Sequence, residues 1–159
     1  MNNAPQSQIL SGYDTLFRLH RHLDRLAPLA FLGLRGWVAW VFLKSGYLKI
    51  SQWDGTLYLF ENEFHTPFLS PLLAAYSATF IELVVAALLL LGFGGRISAL
   101  ILTAFNIIAV ISYPDLGANG LRDHLVWGLM LLITLAHGPD KLSIDHWILR
   151  YLSQQRSKS

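Results

Sequence analysis

The chain has 159 residues, 53% of them hydrophobic and only 14% charged, with a mean hydropathy of +0.44. Soluble domains carry about 25% charged residues, so this clustering of apolar residues excludes an ordinary water-soluble core and points to an integral membrane protein. The formal charge of +2 gives no nucleic-acid footprint, and the lack of cysteine excludes disulfides, thiol relays, Cys-ligated iron–sulfur clusters and Cys-type zinc sites.

Residues 1–26 form a cytoplasmic N-terminal segment. Its first residues are polar, and no apolar run with a small-residue cleavage site follows them, so membrane entry is expected to use the spans themselves. From Tyr13, Leu16, Leu19, Leu23 and Leu26 recur at three- and four-residue spacing, with Arg18, Arg21 and Arg25 mostly elsewhere on the wheel. That pattern predicts an amphipathic helix lying on an anionic membrane surface.

Residues 27–138 read as a four-span membrane domain. Pro28 suits the first turn of a new helix, and the first span runs from about Ala27 to Leu48. Arg35, Phe42 and Lys49 share one face at seven-residue spacing; Lys44 and Lys49 can snorkel to water at the far end, and Trp37 and Trp40 read as packing residues. In SQWDGTLYLFENEFHTP, Trp53, Leu57, Phe60 and Phe64 predict a short aromatic helix at the interface, ending near Pro67. The second span is Pro71–Gly92, with a single ionisable group, Glu82, about eleven residues in and near mid-membrane. Gly92, Gly94 and Gly95 make a turn before Arg96, and the third span runs from about Ile97 to Tyr113 around Asn106. The fourth, about Leu121 to His137, is the shortest and has Arg122, Asp123 and His124 at its entrance. Gly138-Pro139 ends it, and residues 139–159 form a cytoplasmic C-terminal segment in which Ser143 or Asp145 caps an amphipathic helix carrying Trp147, Ile148, Tyr151 and Leu152. The expected fold is all-α, a four-helix transmembrane bundle with short interfacial amphipathic helices. Basic residues at both ends and at Arg96, against the acidic first loop, place both termini in the cytoplasm.

A carboxylate at Glu82's depth is costly and calls for a partner. Arg35, alone in an apolar run, is the partner the sequence offers, and its planar donors suit a desolvated carboxylate. The pair reads either as a structural bridge that sets helix register or as a buried polar site that takes a proton or a quinone-like head group. A protonated Glu82 without Arg35 is a third reading. Asp123-His124 reads as a polar cap at the outer mouth or as part of an outward-facing site. His124 and His137 lie thirteen apart, but spans one to three contain no histidine to complete a haem, so an intrachain bis-histidine haem is not expected. Glu61 and His65, four apart, can share a helix face, and with Asp54 or Glu63 they form a weak metal candidate; the bland reading is a solvated loop. No phosphate loop, nucleotide fingerprint or nucleophile–base arrangement is present, so no catalytic residue is assigned.

The early arginine, SGYLKI at the end of the first span, a glutamate inside the second, the Gly-rich turn before Arg96, and GPDKLSID after the fourth together resemble the DoxX family of small bacterial membrane proteins, over roughly Leu26 to Asp145. WDGTLYLFENEFHTP and FNIIAVISYPDL resemble more narrowly the DoxX proteins of bufferin (HvfA-type) operons, which make copper-binding modified peptides. The resemblance carries over Arg35, Lys49, Glu82 and Arg96 as matching positions without a defined reaction. Asp140 stands where the family pattern usually has a second glycine, a departure expected to matter little for the fold. What the resemblance implies is a bacterial inner-membrane protein supporting redox or copper-stress defence without catalysis of its own. The alternatives are a quinone-linked oxidoreductase subunit, for which a quinone would be the cofactor, and a small transporter or export helper for a metal or modified peptide. Expected partners are the lipid bilayer, an oxidoreductase or a metal-binding peptide system, and further copies of the chain.

Overall fold

The computed structural model describes residues 4–157, with side chains from Arg25 onward. Six helices follow in order: α1 (Ala4–Ser51), α2 (Trp53–Asn62), α3 (Pro71–Leu91), α4 (Gly95–Ser112), α5 (Gly117–His137) and α6 (Ile144–Arg156). No strand occurs among the described residues.

Pro28 lies inside α1 rather than at its start. The ring removes one helical hydrogen bond, yet the chain continues as one helix through the boundary where a break was expected. The N-terminal amphipathic face falls on side chains outside the described set.

The second predicted span, α3, begins at Pro71, as its apolar run predicts. Ser70 caps it by accepting from the Leu73 amide at 3.4 Å, and proline at the first position gives up only a donor that would otherwise lack a partner. Gly92 ends it in the left-handed conformation at φ +66°, which costs a glycine little.

Among the described residues, three helical stretches are long and apolar enough to cross a membrane: Arg25–Ser51, Pro71–Leu91 and Gly95–Ser112. The expected fourth, α5, has the length at 21 residues, but Arg122, Asp123 and His124 in its first turns dilute its apolar character. It nevertheless packs along α4 and against α1. The core is shared by all four long helices: Val38, Ala39 and Phe42 of α1, Val85, Ala86 and Leu89 of α3, Ala99 and Leu102 of α4, and Leu131 of α5 are buried together.

Trp37 and Trp40 are 61% and 62% exposed, so they face outward instead of packing in the core. An outward aromatic on a spanning helix meets lipid, which suits an indole. The aromatic stripe of the first loop does form a helix, α2, but its apolar face has a protein partner: Phe60, with Trp53, Leu57 and Phe64 beside it, packs on Ala74, Ala75 and Ala78 of α3.

A buried ion-pair cavity and a clasp at the opposite end

Arg35 and Glu82 are both buried, at 4% and 5% exposure, but they do not meet. Glu82 lies against Gly46, eleven residues beyond Arg35 on α1, or about 16 Å at helical rise. That distance is well past the reach of one arginine side chain, so each charge takes a partner at its own level. Glu82 lies midway along α3, eleven residues from Pro71 and nine from Leu91, whereas Gly46 beside it is only five residues from the end of α1.

Glu82 pairs with Lys49, whose ammonium donates to both carboxylate oxygens at 2.8 and 2.7 Å and to Ser45 Oγ at 2.9 Å. Ser45 in turn donates to Glu82 Oε1 at 3.2 Å. Two local features bring these groups together. Residues Ile81–Val85 form a π turn, with the Ala86 amide donating to the Ile81 carbonyl, an irregularity often found at functional positions. Gly46 lets that turn approach: a Cβ there would stand 2.8 Å from Leu83 Cγ and 3.0 Å from Glu82 Cβ. The sequence held a sign of this arrangement, since Lys49 shares a face with Arg35 and Phe42, but its place near the helix end made it read as a residue bound for water.

The pair forms part of the wall of a cavity of about 520 Å³. Phe42, Phe60, Phe64, Phe105 and Trp127 supply aromatic walls, and the loop from Thr66 to Leu69 borders it. Ile108 and Ser77, both exposed on the outside of the bundle, also line it, so the cavity communicates with the lipid-facing surface. Ser112 is 1% exposed, and its hydroxyl has no partner among the described residues.

His124 also lines this cavity, held by Asn106, whose Oδ1 is 2.7 Å from His124 Nδ1 and whose Nδ2 donates to the His124 carbonyl at 3.0 Å. Its ring also meets Trp127 edge-on. Asp123, its expected companion, is exposed. Tyr113, just past the end of α4, donates to Glu63 Oε2 at 3.3 Å, and the neighbouring carboxylate raises the phenol's pKa. Glu61 and His65 are both exposed, and no three potential metal ligands gather anywhere among the described residues. The His65 amide donates to the Ser112 carbonyl at 2.8 Å.

At the opposite end, Arg35 donates from Nη1 to Asp140 Oδ2 at 2.8 Å and from Nη2 to the Leu142 carbonyl at 3.2 Å. Asp140, the departure from the family pattern expected to be of little consequence, is thus the arginine's counter-ion. Asp145 adds a second tie, accepting from the Gly94 and Gly95 amides at 2.9 and 2.8 Å, while Ser143 is the residue that caps α6. A carboxylate across the first amides of α4 satisfies donors that have no partner within the helix and suits the helix dipole. Arg96 lies against Gly138, where a Cβ would stand 2.6 Å from its Nε. These contacts clasp the segment after α5 to the glycine turn.

The chain is 33% identical over 126 residues to an uncharacterized protein of Haemophilus influenzae, covering 74% of this chain and 82% of that one. No solved structure matches it. The DoxX profile matches residues 30–114, the stretch that holds Arg35, Lys49, Glu82 and the glycine turn, and with most of the apolar helical core inside those bounds, this membrane protein belongs to the DoxX family.

Proposed function

We propose that this protein is a bacterial inner-membrane component of redox or copper-stress defence that binds a quinone-class lipophile in the cavity beside Lys49 and Glu82. The observation that carries this reading is the Lys49–Glu82–Ser45 cluster in the wall of an otherwise largely apolar cavity with several aromatic residues. Its volume, about 520 Å³, falls within the range of roughly 300–1,000 Å³ typical of small-molecule sites. Flat aromatic walls suit a planar ring, and the opening beside Ile108 suits an alkyl or isoprenoid tail. A buried ion pair adds little net stability, because desolvation offsets most of its attraction. Its placement at a cavity therefore favours binding over a purely structural role. With no cysteine in the chain, a redox role needs a bound cofactor or a partner.

In this reading α5 is a fourth span completing a four-helix bundle, and both termini are cytoplasmic. Its packing along α4 and the basic residues near Arg96 and the chain ends support that topology. WDGTLYLFENEFHTP and FNIIAVISYPDL support the bufferin-operon subgroup, and with it the copper connection.

Purification in mild detergent from quinone-replete membranes, followed by solvent extraction and mass spectrometry, is expected to recover a quinone with the protein. A Lys49→Met/Glu82→Gln double variant is expected to lose it. A quinone-free wild-type preparation refutes the binding reading. Unchanged copper tolerance in a deletion strain refutes the copper role.

A further inference from the structure

The polar groups around the cavity differ in what they have left to offer a ligand. Lys49 has three N–H donors, and all are committed: two to Glu82 and one to Ser45. Ser45 spends its own proton on Glu82 Oε1, and Tyr113 spends its proton on Glu63.

Asn106 fixes the state of His124. Its Nδ2 must be the atom facing the His124 carbonyl, since a carbonyl only accepts. Its Oδ1 is therefore the atom 2.7 Å from His124 Nδ1, and Nδ1 is the donor. When the ring so held is neutral, Nε2 is an acceptor, with no hydrogen bond to it among the described residues. Glu82 accepts three hydrogen bonds of the roughly four a carboxylate can take, which leaves capacity on Oε2.

The groups whose roles are fixed thus have acceptors to spare and no spare donor. Only hydroxyls can act either way: Ser112 within the wall, and Thr66 and Ser77 at the more accessible rim.

We infer that the cavity takes its ligand in the donor-bearing form, a reduced dihydroxy ring, in preference to the oxidised dione. The inference rests on the quinone-class reading. A hydroquinone brings two O–H donors for Glu82 Oε2 and His124 Nε2. A dione brings two carbonyls that only accept; within the wall the Ser112 hydroxyl can serve one of them, and a second buried carbonyl without a donor loses its water and gains nothing in return. The site would hold the reduced member of the pool, and the reaction class upstream is one that reduces the ring.

Calorimetric titration of the full-length protein in detergent, under anaerobic conditions, decides the matter, using a short-alkyl-chain benzoquinone and the same compound reduced to its hydroquinone. The hydroquinone is expected to bind at least about tenfold more tightly, since unmatched buried polar groups discriminate strongly. His124→Phe keeps an aromatic ring beside Trp127 but removes the acceptor, and should bring the ratio toward one by weakening the hydroquinone. His124→Gln returns an amide oxygen and should restore part of the preference. Equal affinities in the wild type, or tighter binding of the dione, overturn the inference and leave the quinone-class reading standing. Binding of neither compound overturns that reading, and the inference with it.

Discussion

Replacing Lys49 with methionine keeps most of the side-chain length and removes the charge, leaving Glu82 buried and without its counter-ion. Glu82 is 5% exposed and both its oxygens lie within 2.8 Å of the ammonium, so the loss leaves a carboxylate in an apolar wall with only Ser45 beside it. Breaking one side of such a pair costs about 3–5 kcal/mol, and the lower figure alone is roughly a 150-fold change in the folding equilibrium. The reverse change, Glu82→Gln, should cost less, about 1–2 kcal/mol. Lys49 sits near the end of α1 with its side chain 19% accessible, and its amine can swing toward water. In the double variant no buried charge is stranded, and its stability should return to within about 1 kcal/mol of Glu82→Gln alone. Unfolding of detergent-solubilised protein by added sodium dodecyl sulfate, followed by tryptophan fluorescence, measures all three differences. A Lys49→Met penalty below about 1 kcal/mol, or a double variant no better than Lys49→Met, would refute charge compensation as the reason these residues meet.

Gly46→Ala places a Cβ within 3.0 Å of Leu83 and Glu82, so the same titration should show a loss of about 1–3 kcal/mol from overpacking; a neutral result would mean the π turn yields freely. Asp145→Asn keeps one acceptor for the Gly94 and Gly95 amides and should weaken the clasp by about 1 kcal/mol, seen as faster hydrogen exchange at those amides. Phe68 is fully exposed with a positive φ of 65°, so Phe68→Asn should raise stability by about 1 kcal/mol through relief of backbone strain. A fall in stability there would show that the ring holds its loop by contact with lipid.

The second span was legible because its limits are chemical events on the chain. Pro71 can only open a helix comfortably, Gly92 takes the left-handed turn that ends one, and the apolar run between them has the length of a bilayer. The pairing of buried charges was not legible. A lone arginine and a lone glutamate each announce a need for a partner, but the depth at which each sits depends on how the helices are staggered. That stagger is set by Gly46 and the π turn, which leave no periodic signature. Asp140 was hidden for a different reason: it follows Gly138-Pro139 in what reads as a solvated loop, and only the fold returns that loop to the base of α1. The stripe on α2 was visible, whereas the small Ala74, Ala75 and Ala78 that receive it look like any alanines in an apolar helix.

Among the described residues, the buried Arg35 sits beside Asp140 and the half-buried Lys49 beside Glu82, so neither pair carries a net charge. Displacing one elementary charge across a membrane held at 100 mV involves about 2.3 kcal/mol of electrical work, whereas a shift that carries an anion and cation together involves almost none. A rearrangement that carries either pair as a unit therefore moves no net charge. A voltage dependence measured for this protein in vesicles would have a source other than displacement of these two pairs.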